Sequence, residues 1–146
     1  IGLELSLYDH GVSEHQEPVS WFGRGPHENY PDRKESAHMG RYQSSVRQMH
    51  TDYIFPSENG LRCNVLEAQI GELSVRGDFH FAVSEFSQAN LAMAKHTNEL
   101  MKQDTIFVRI DGFHMGVGGD DSWTPSVHKE YLLNDRRYRY QVALSF

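Results

Sequence analysis

Apolar and polar residues alternate with a period of two along most of this chain, beginning with Leu3, Leu5 and Leu7. That period suits strands with one face buried. It returns over residues 41–50, where Tyr42 and Val46 share a face, and over 61–70, where Leu61, Cys63 and Val65 do. In 78–86, Phe79, Phe81 and Val83 alternate with Asp78, His80 and Ala82, and 105–110 reads Thr-Ile-Phe-Val-Arg-Ile. Residues 127–133 and 138–144 complete the set with Tyr131, Leu133, Tyr138, Tyr140, Val142 and Leu144. Turn formers punctuate these runs at Gly23 to Pro26, Pro31-Asp32, Pro56 to Gly60, Gly116 to Asp121 and Asn134-Asp135. Many short strands with turns between them predict an all-β, antiparallel sandwich or barrel. One segment departs from this pattern: Ser87 is placed to N-cap a run of helix formers, and the spacing of Leu91, Lys95 and Asn98 predicts one short helix near 88–101.

The chain has 146 residues, and neither a repeat nor a linker divides it, so residues 1–146 are expected to form a single unit. The first residues alternate like the inside of a strand, as if the chain were cut from a longer one. Lys and Arg number 14 against 20 Asp and Glu, a formal charge of −6. Such an acidic balance argues against a nucleic-acid partner, whose phosphates are neutralised by cations. Mean hydropathy is −0.61, and no run approaches the ~20 apolar residues of a membrane span. Cys63 is the sole cysteine, so no disulfide forms within the chain and no Cys-rich zinc site exists; a small buried hydrophobe is its bland reading.

The nine histidines lack metal-ligand spacing. Asp78 and His80 share a strand face, where an oriented imidazole competes with an ordinary solvated polar face. Glu28, Asp32, Glu58 and Asp120 all lie beside turn residues, where carboxylates commonly accept backbone N–H bonds, and no pair stands out as the acid and base of a glycosidase. The stretch Gly112-Phe-His-Met-Gly-Val-Gly-Gly-Asp-Asp-Ser-Trp123 is the most unusual. Its glycines fit neither a dinucleotide fingerprint nor a phosphate loop, and Asp120-Asp121 lacks the spacing of a calcium loop. Trp123 then has two readings: a core residue folding back, or a flat surface on which a ligand ring stacks.

Four blocks carry a resemblance. Trp21-Phe-Gly-Arg-Gly-Pro-His-Glu-Asn-Tyr-Pro-Asp-Arg-Lys34, Phe55-Pro-Ser-Glu-Asn-Gly-Leu-Arg-Cys63, Arg76-Gly-Asp-Phe-His-Phe81 and Asp111 through Val127 resemble, in order and spacing, the C-terminal domain of lacZ-type bacterial β-galactosidases of glycoside hydrolase family two. The likeness runs from Ile1 to Phe146, with a longer stretch at Tyr8 to Glu17 as its main departure. It implies the latter part of a large antiparallel β-sandwich related to galactose mutarotase folds. It further implies a parent enzyme that hydrolyses β-D-galactosides such as lactose with retention, through two glutamates on a TIM barrel that also needs Mg²⁺ and Na⁺. No catalytic residue, cofactor or metal ligand is assigned to this segment. The family residue that carries over is Trp123, as substrate-binding wall for the aglycone, the glucose of lactose. Implied partners are the β-galactoside or its glucose moiety, the remaining domains and further copies in a homo-oligomer, in the cytoplasm. The Trp21 to Lys34 block is expected to be structural. The alternative is a free-standing carbohydrate-binding β-sandwich, which glycan binding by the chain alone would favour.

Overall fold

The computed structural model describes residues 1–8, 18–121 and 126–146. Among these described residues are seven strands: β1 (Gly2–Tyr8), β2 (Pro18–Gly25), β3 (His38–Ser45), β4 (Arg62–Ile70), β5 (Leu73–Ser84), β6 (Thr105–Asp111) and β7 (Val142–Ser145). They form one antiparallel sheet in the order β1-β6-β5-β4-β2-β3, with β7 also on β5. The all-β, antiparallel architecture predicted by the alternation is therefore what the chain adopts. Two short helices accompany it, α1 (Val46–Met49) and α2 (Gln88–Met93).

Side chains cluster on both faces of the sheet. The larger cluster takes Val19 and Trp21 from β2, Val65, Ala68 and Ile70 from β4, alternate residues Leu73, Val75, Phe79, Phe81 and Val83 of β5, and Ile106, Val108 and Ile110 of β6. Leu3, Leu5 and Leu7 pack against its edge, while α1 contributes Val46 and Met49. Burying some 20 such side chains at about 1.5–3 kcal/mol each is the main term opposing chain entropy. The opposite face has a small apolar cluster, Tyr30, Leu61, Cys63 and Ala82, surrounded by buried polar groups.

Irregular backbone accounts for the departures from simple alternation. Between Arg62 and Val65, β4 has one residue more than its partner, and between Val65 and Glu67 the excess passes to β5. Asn64 sits at φ 52° in this double irregularity. Leu61 and Cys63 consequently face the small cluster and Val65 the large one, which corrects the expectation that all three share a side. At the other end of the hairpin only Gly71 and Glu72 join β4 to β5, since Ile70 pairs with Leu73.

Three further expectations are corrected. The Gly23 to Pro26 turn begins late, because β2 runs through Gly25 and pairs with β3 up to His38. Gly23 there marks close packing, since a Cβ would come within 2.6 Å of Val65 Cγ2. The pattern over 41–50 is a strand followed by α1, where a capping box of Ser45 and Gln48 turns the chain. Residues 127–133 hold only a single 3-10 turn, Lys129–Tyr131, in place of a strand.

The helix near 88–101 is present as α2, capped as predicted by the Ser87 hydroxyl, which accepts from the Asn90 N–H at 3.2 Å. It stops at Met93 because side chains capture the following backbone. Glu99 accepts from the Lys95 N–H at 2.9 Å and Asn90 from the Met101 N–H at 2.8 Å. None of the helices among the described residues is long and apolar enough to cross a membrane.

Candidate functional site

The Gly-rich loop leaves β6 at Asp111 and runs across the sheet's polar face. Its root is tightly covered: the Tyr140 ring lies directly over Gly112, and Phe113 meets Tyr138 edge to face at 5.0 Å. The Tyr140 hydroxyl donates to the Ile110 carbonyl at 3.3 Å. The aromatic run at 138–140 thus holds the loop's base, while Val142 to Ser145 pair with β5.

Further along, His114 enters a charged network. Arg109 interrupts the apolar run of β6 and points to the polar face, where it is 6% exposed. A buried guanidinium needs acceptors in every direction. It finds Glu58 Oε1 at 2.5 Å, the Asn59 carbonyl at 2.5 Å and the Gln88 side-chain oxygen. Glu58 Oε2 in turn lies 3.6 Å from His114 Nε2. Burial alone raises the Glu58 carboxyl, but the His114 hydrogen bond and the Arg109 charge outweigh it and hold it down at about 2. For His114, burial lowers the imidazole and Glu58 with the Met115 carbonyl raises it, with a net rise. Both ring nitrogens face acceptors, Nδ1 toward the Met115 oxygen at 2.6 Å and Nε2 toward Glu58. Only the imidazolium satisfies both.

The Trp21 to Lys34 block supplies the loop's other support. Tyr30 and Arg33 exchange backbone hydrogen bonds of 3.2 and 2.8 Å across the Pro31-Asp32 turn. The Tyr30 ring is buried and tilts against His114 at 5.6 Å between centroids. Asp32 accepts from the N–H groups of Val117 and Gly118. Glu28, buried beneath, accepts from the Gly60 N–H at 2.8 Å and from the hydroxyls of Tyr30 and Tyr53. Burial, reinforced by the Glu28 charge, pushes the Tyr30 hydroxyl far up. These carboxylates therefore accept backbone N–H bonds beside turns, as their sequence context suggests.

Loop, turn and network together line an open cleft that includes Ser57, Glu58, His114, Gly116, Gly118 and Asp121. A second hollow on the loop's far side is bordered by Asp32, Arg33, His128 and Tyr131. Asp120 and His128 bridge the loop's return at 2.8 Å, which raises the imidazole of His128 through the hydrogen bond to Asp120. Trp123, the one residue expected to bind substrate, lies outside the described residues.

Other candidates resolve into structural roles. His80 Nδ1 accepts the Asn64 N–H at 3.1 Å, stabilising the irregular strand, and burial followed by the nearby His114 charge lowers it to about 4. It is therefore a neutral acceptor, and Asp78 makes no orienting contact to it among the hydrogen bonds of the described residues. The buried Cys63 thiol donates to the Asn29 carbonyl at 3.3 Å and burial pushes it up to about 12, far from a reactive thiolate. No three His, Cys, Asp or Glu side chains converge on a metal position among the described residues. The Arg109–Glu58–His114 network was not read from the sequence. Its signal is Arg109 itself, a cation inside Ile-Phe-Val-Arg-Ile that has to be paired if the strand is buried.

Several curated proteins align with nearly the whole of this chain. The profile of the family described as "Beta galactosidase small chain" matches residues 1–144. A protein of Psychromonas ingrahamii named "Beta-galactosidase" is 61% identical over 146 residues, 100% of this chain and 14% of that protein. One of the same name from Vibrio cholerae is 57% identical over 144 residues, 99% of this chain. Another, from Vibrio vulnificus, is 52% identical over 145 residues. The chain spans about 14% of the length of these relatives. A profile match over nearly every residue, together with such identity, leaves one assignment: the chain belongs to the β-galactosidase small-chain family.

Proposed function

We propose that this chain is part of a β-galactosidase that hydrolyses terminal β-D-galactosides such as lactose with retention, and that it builds the aglycone side of the active site. The two catalytic glutamates lie on a TIM barrel elsewhere in the parent enzyme. One attacks the anomeric carbon while the other protonates the departing oxygen; water then releases galactose from the covalent intermediate. Mg²⁺ and Na⁺ belong to that barrel in this reading, and no step here runs through them. The parent is a cytoplasmic homo-oligomer, and the other domains and the β-galactoside are the partners of this segment.

Trp123 is the residue that meets the sugar. An indole covers the apolar C–H face of glucose at little entropic cost, and its N–H keeps a hydrogen-bond donor available. The observation supporting this reading is the Gly-rich loop ahead of Trp123, which is held by Asp32, Tyr131 and the Glu58–His114 pair. A loop so fixed delivers a following side chain to a defined place, and a general-purpose surface loop has no need of it.

The test is product partitioning in the full-length enzyme. With glucose present, the galactosyl intermediate goes either to water or to glucose, and the ratio reports how well bound glucose competes with water for it. Trp123→Leu is expected to lower transfer to glucose about tenfold relative to hydrolysis, the order of one lost aromatic contact. A ratio equal to that of the unaltered enzyme sinks the reading.

A further inference from the structure

Between the loop and the Pro31-Asp32 turn, the Asp32 side chain makes the hydrogen-bonded connection. Asp32 Oδ1 accepts from the Val117 N–H at 3.1 Å, and Oδ2 from the Gly118 N–H at 2.9 Å. Two successive loop amides thus meet the two oxygens of one carboxylate, 85 and 86 residues away in sequence. On the loop's other side, the Gly116 N–H donates to the Tyr131 carbonyl at 3.0 Å. Gly116 has to lack a side chain here, because a Cβ would stand 2.6 Å from Asp32 Oδ2.

The loop is exposed at Val117 and Gly118, so burial of apolar surface does not place it. The carboxylate does. Its own position is set by the paired Tyr30–Arg33 turn and the buried Tyr30 ring. Bonds from N–H groups to a charged acceptor are roughly twice as strong as neutral ones, and two of them fix both the distance and the orientation of the peptide.

We propose that Asp32 is a positioning residue for the aglycone subsite: by binding the Val117 and Gly118 amides it holds the Gly-rich loop in place, and so sets how firmly an acceptor sugar is retained. The inference rests on the reading that Trp123, beyond the same loop, faces the aglycone. Asp32 itself touches no sugar. Its replacement by Asn keeps the volume but leaves one acceptor oxygen, turning an NH₂ group toward the second amide.

The experiment uses the full-length enzyme with o-nitrophenyl galactoside as donor and glucose as acceptor, reading the ratio of transfer to hydrolysis. That ratio does not depend on how much enzyme is active, so a defect confined to folding leaves it unmoved. Asp32→Asn is expected to lower it about threefold and Asp32→Ala about tenfold, as one or both charge-assisted bonds are lost. In a Trp123→Leu background the same replacements are expected to add nothing, because the loop then has no aromatic to aim. Equal losses in both backgrounds overturn the proposal, since Asp32 would be acting elsewhere. So does an unchanged ratio in both Asp32 variants while Trp123→Leu lowers it, an outcome that leaves the aglycone reading intact. An unchanged ratio in Trp123→Leu overturns that reading first, and the role of Asp32 with it. If Asp32→Ala yields no active enzyme, the isosteric Asp32→Asn variant carries the comparison.

Discussion

The two faces of the sheet are held by different physics. On one, Val19, Phe79, Phe81, Val108 and their neighbours pack without a hydrogen bond between side chains. On the other, Arg109, Glu58, His114 and Asp32 connect strands to loops through directional, charged contacts. Packing is non-directional and accumulates with area, so it stabilises the sheet but aims nothing. Charged hydrogen bonds contribute less net energy yet fix geometry. The difference teaches where to look for function in a fold like this one: on the face whose stability is the more easily lost.

Truncating the apolar face gives the largest expected effect. Phe81→Ala empties a fully buried site that touches Trp21 and Phe79, and should cost about 3–5 kcal/mol in urea unfolding of the chain. A loss near 1 kcal/mol would show that the face collapses around the gap and is looser than its burial indicates. Arg109→Met comes second. It leaves Glu58 and the Asn59 carbonyl without their main donor, for about 2–4 kcal/mol, and adding Glu58→Gln should recover part of that loss. If the single variant is as stable as the parent chain, the polar face owes nothing to this ion pair.

The smallest effect concerns pH and only the polar face. Glu58 is depressed to about 2 from 4.5, so its contribution is present above pH 4.5 and lost as pH falls toward 2. His114 is raised above 6.5, so its contribution is full below pH 6.5 and lost as pH rises through that raised value. The pair should stabilise most between pH 4.5 and 6.5. His114→Gln is expected to flatten the decline in thermal midpoint as pH rises past 6.5, by a few degrees or less, and an unaltered pH profile would remove His114 from the network.

The sequence made the apolar face legible because period-two alternation reports burial on one side. It was legible least where the backbone breaks that period. Cys63 and Val65 have the same spacing as Phe79 and Phe81, yet an extra residue at Asn64 sends them to opposite faces. The glycines of β2 looked like a turn because composition does not distinguish a Gly that bends the chain from one that admits Val65. On the polar face, Asp32 was recognisable as a carboxylate beside a turn, but its partners are 85 and 86 residues distant, and no local pattern encodes such a contact. The Gly-rich stretch singled out Trp123 but left a core and a stacking reading open, and only the resemblance to a family chose between them.

The irregularity shared by β4 and β5 has an evolutionary consequence. The surplus residue in one strand is cancelled by a surplus in the other a few positions on, so the pairs from Glu67–Arg76 to Ile70–Leu73 return to register. Deleting either surplus alone would rotate the rest of the hairpin by one position, exchanging Ala68 and Val75 with their outward neighbours. Changes of length in this hairpin are therefore acceptable only as matched pairs, one in each strand. A single-codon deletion at Asn64 is a dead end unless a second, between Arg76 and Phe79, accompanies it.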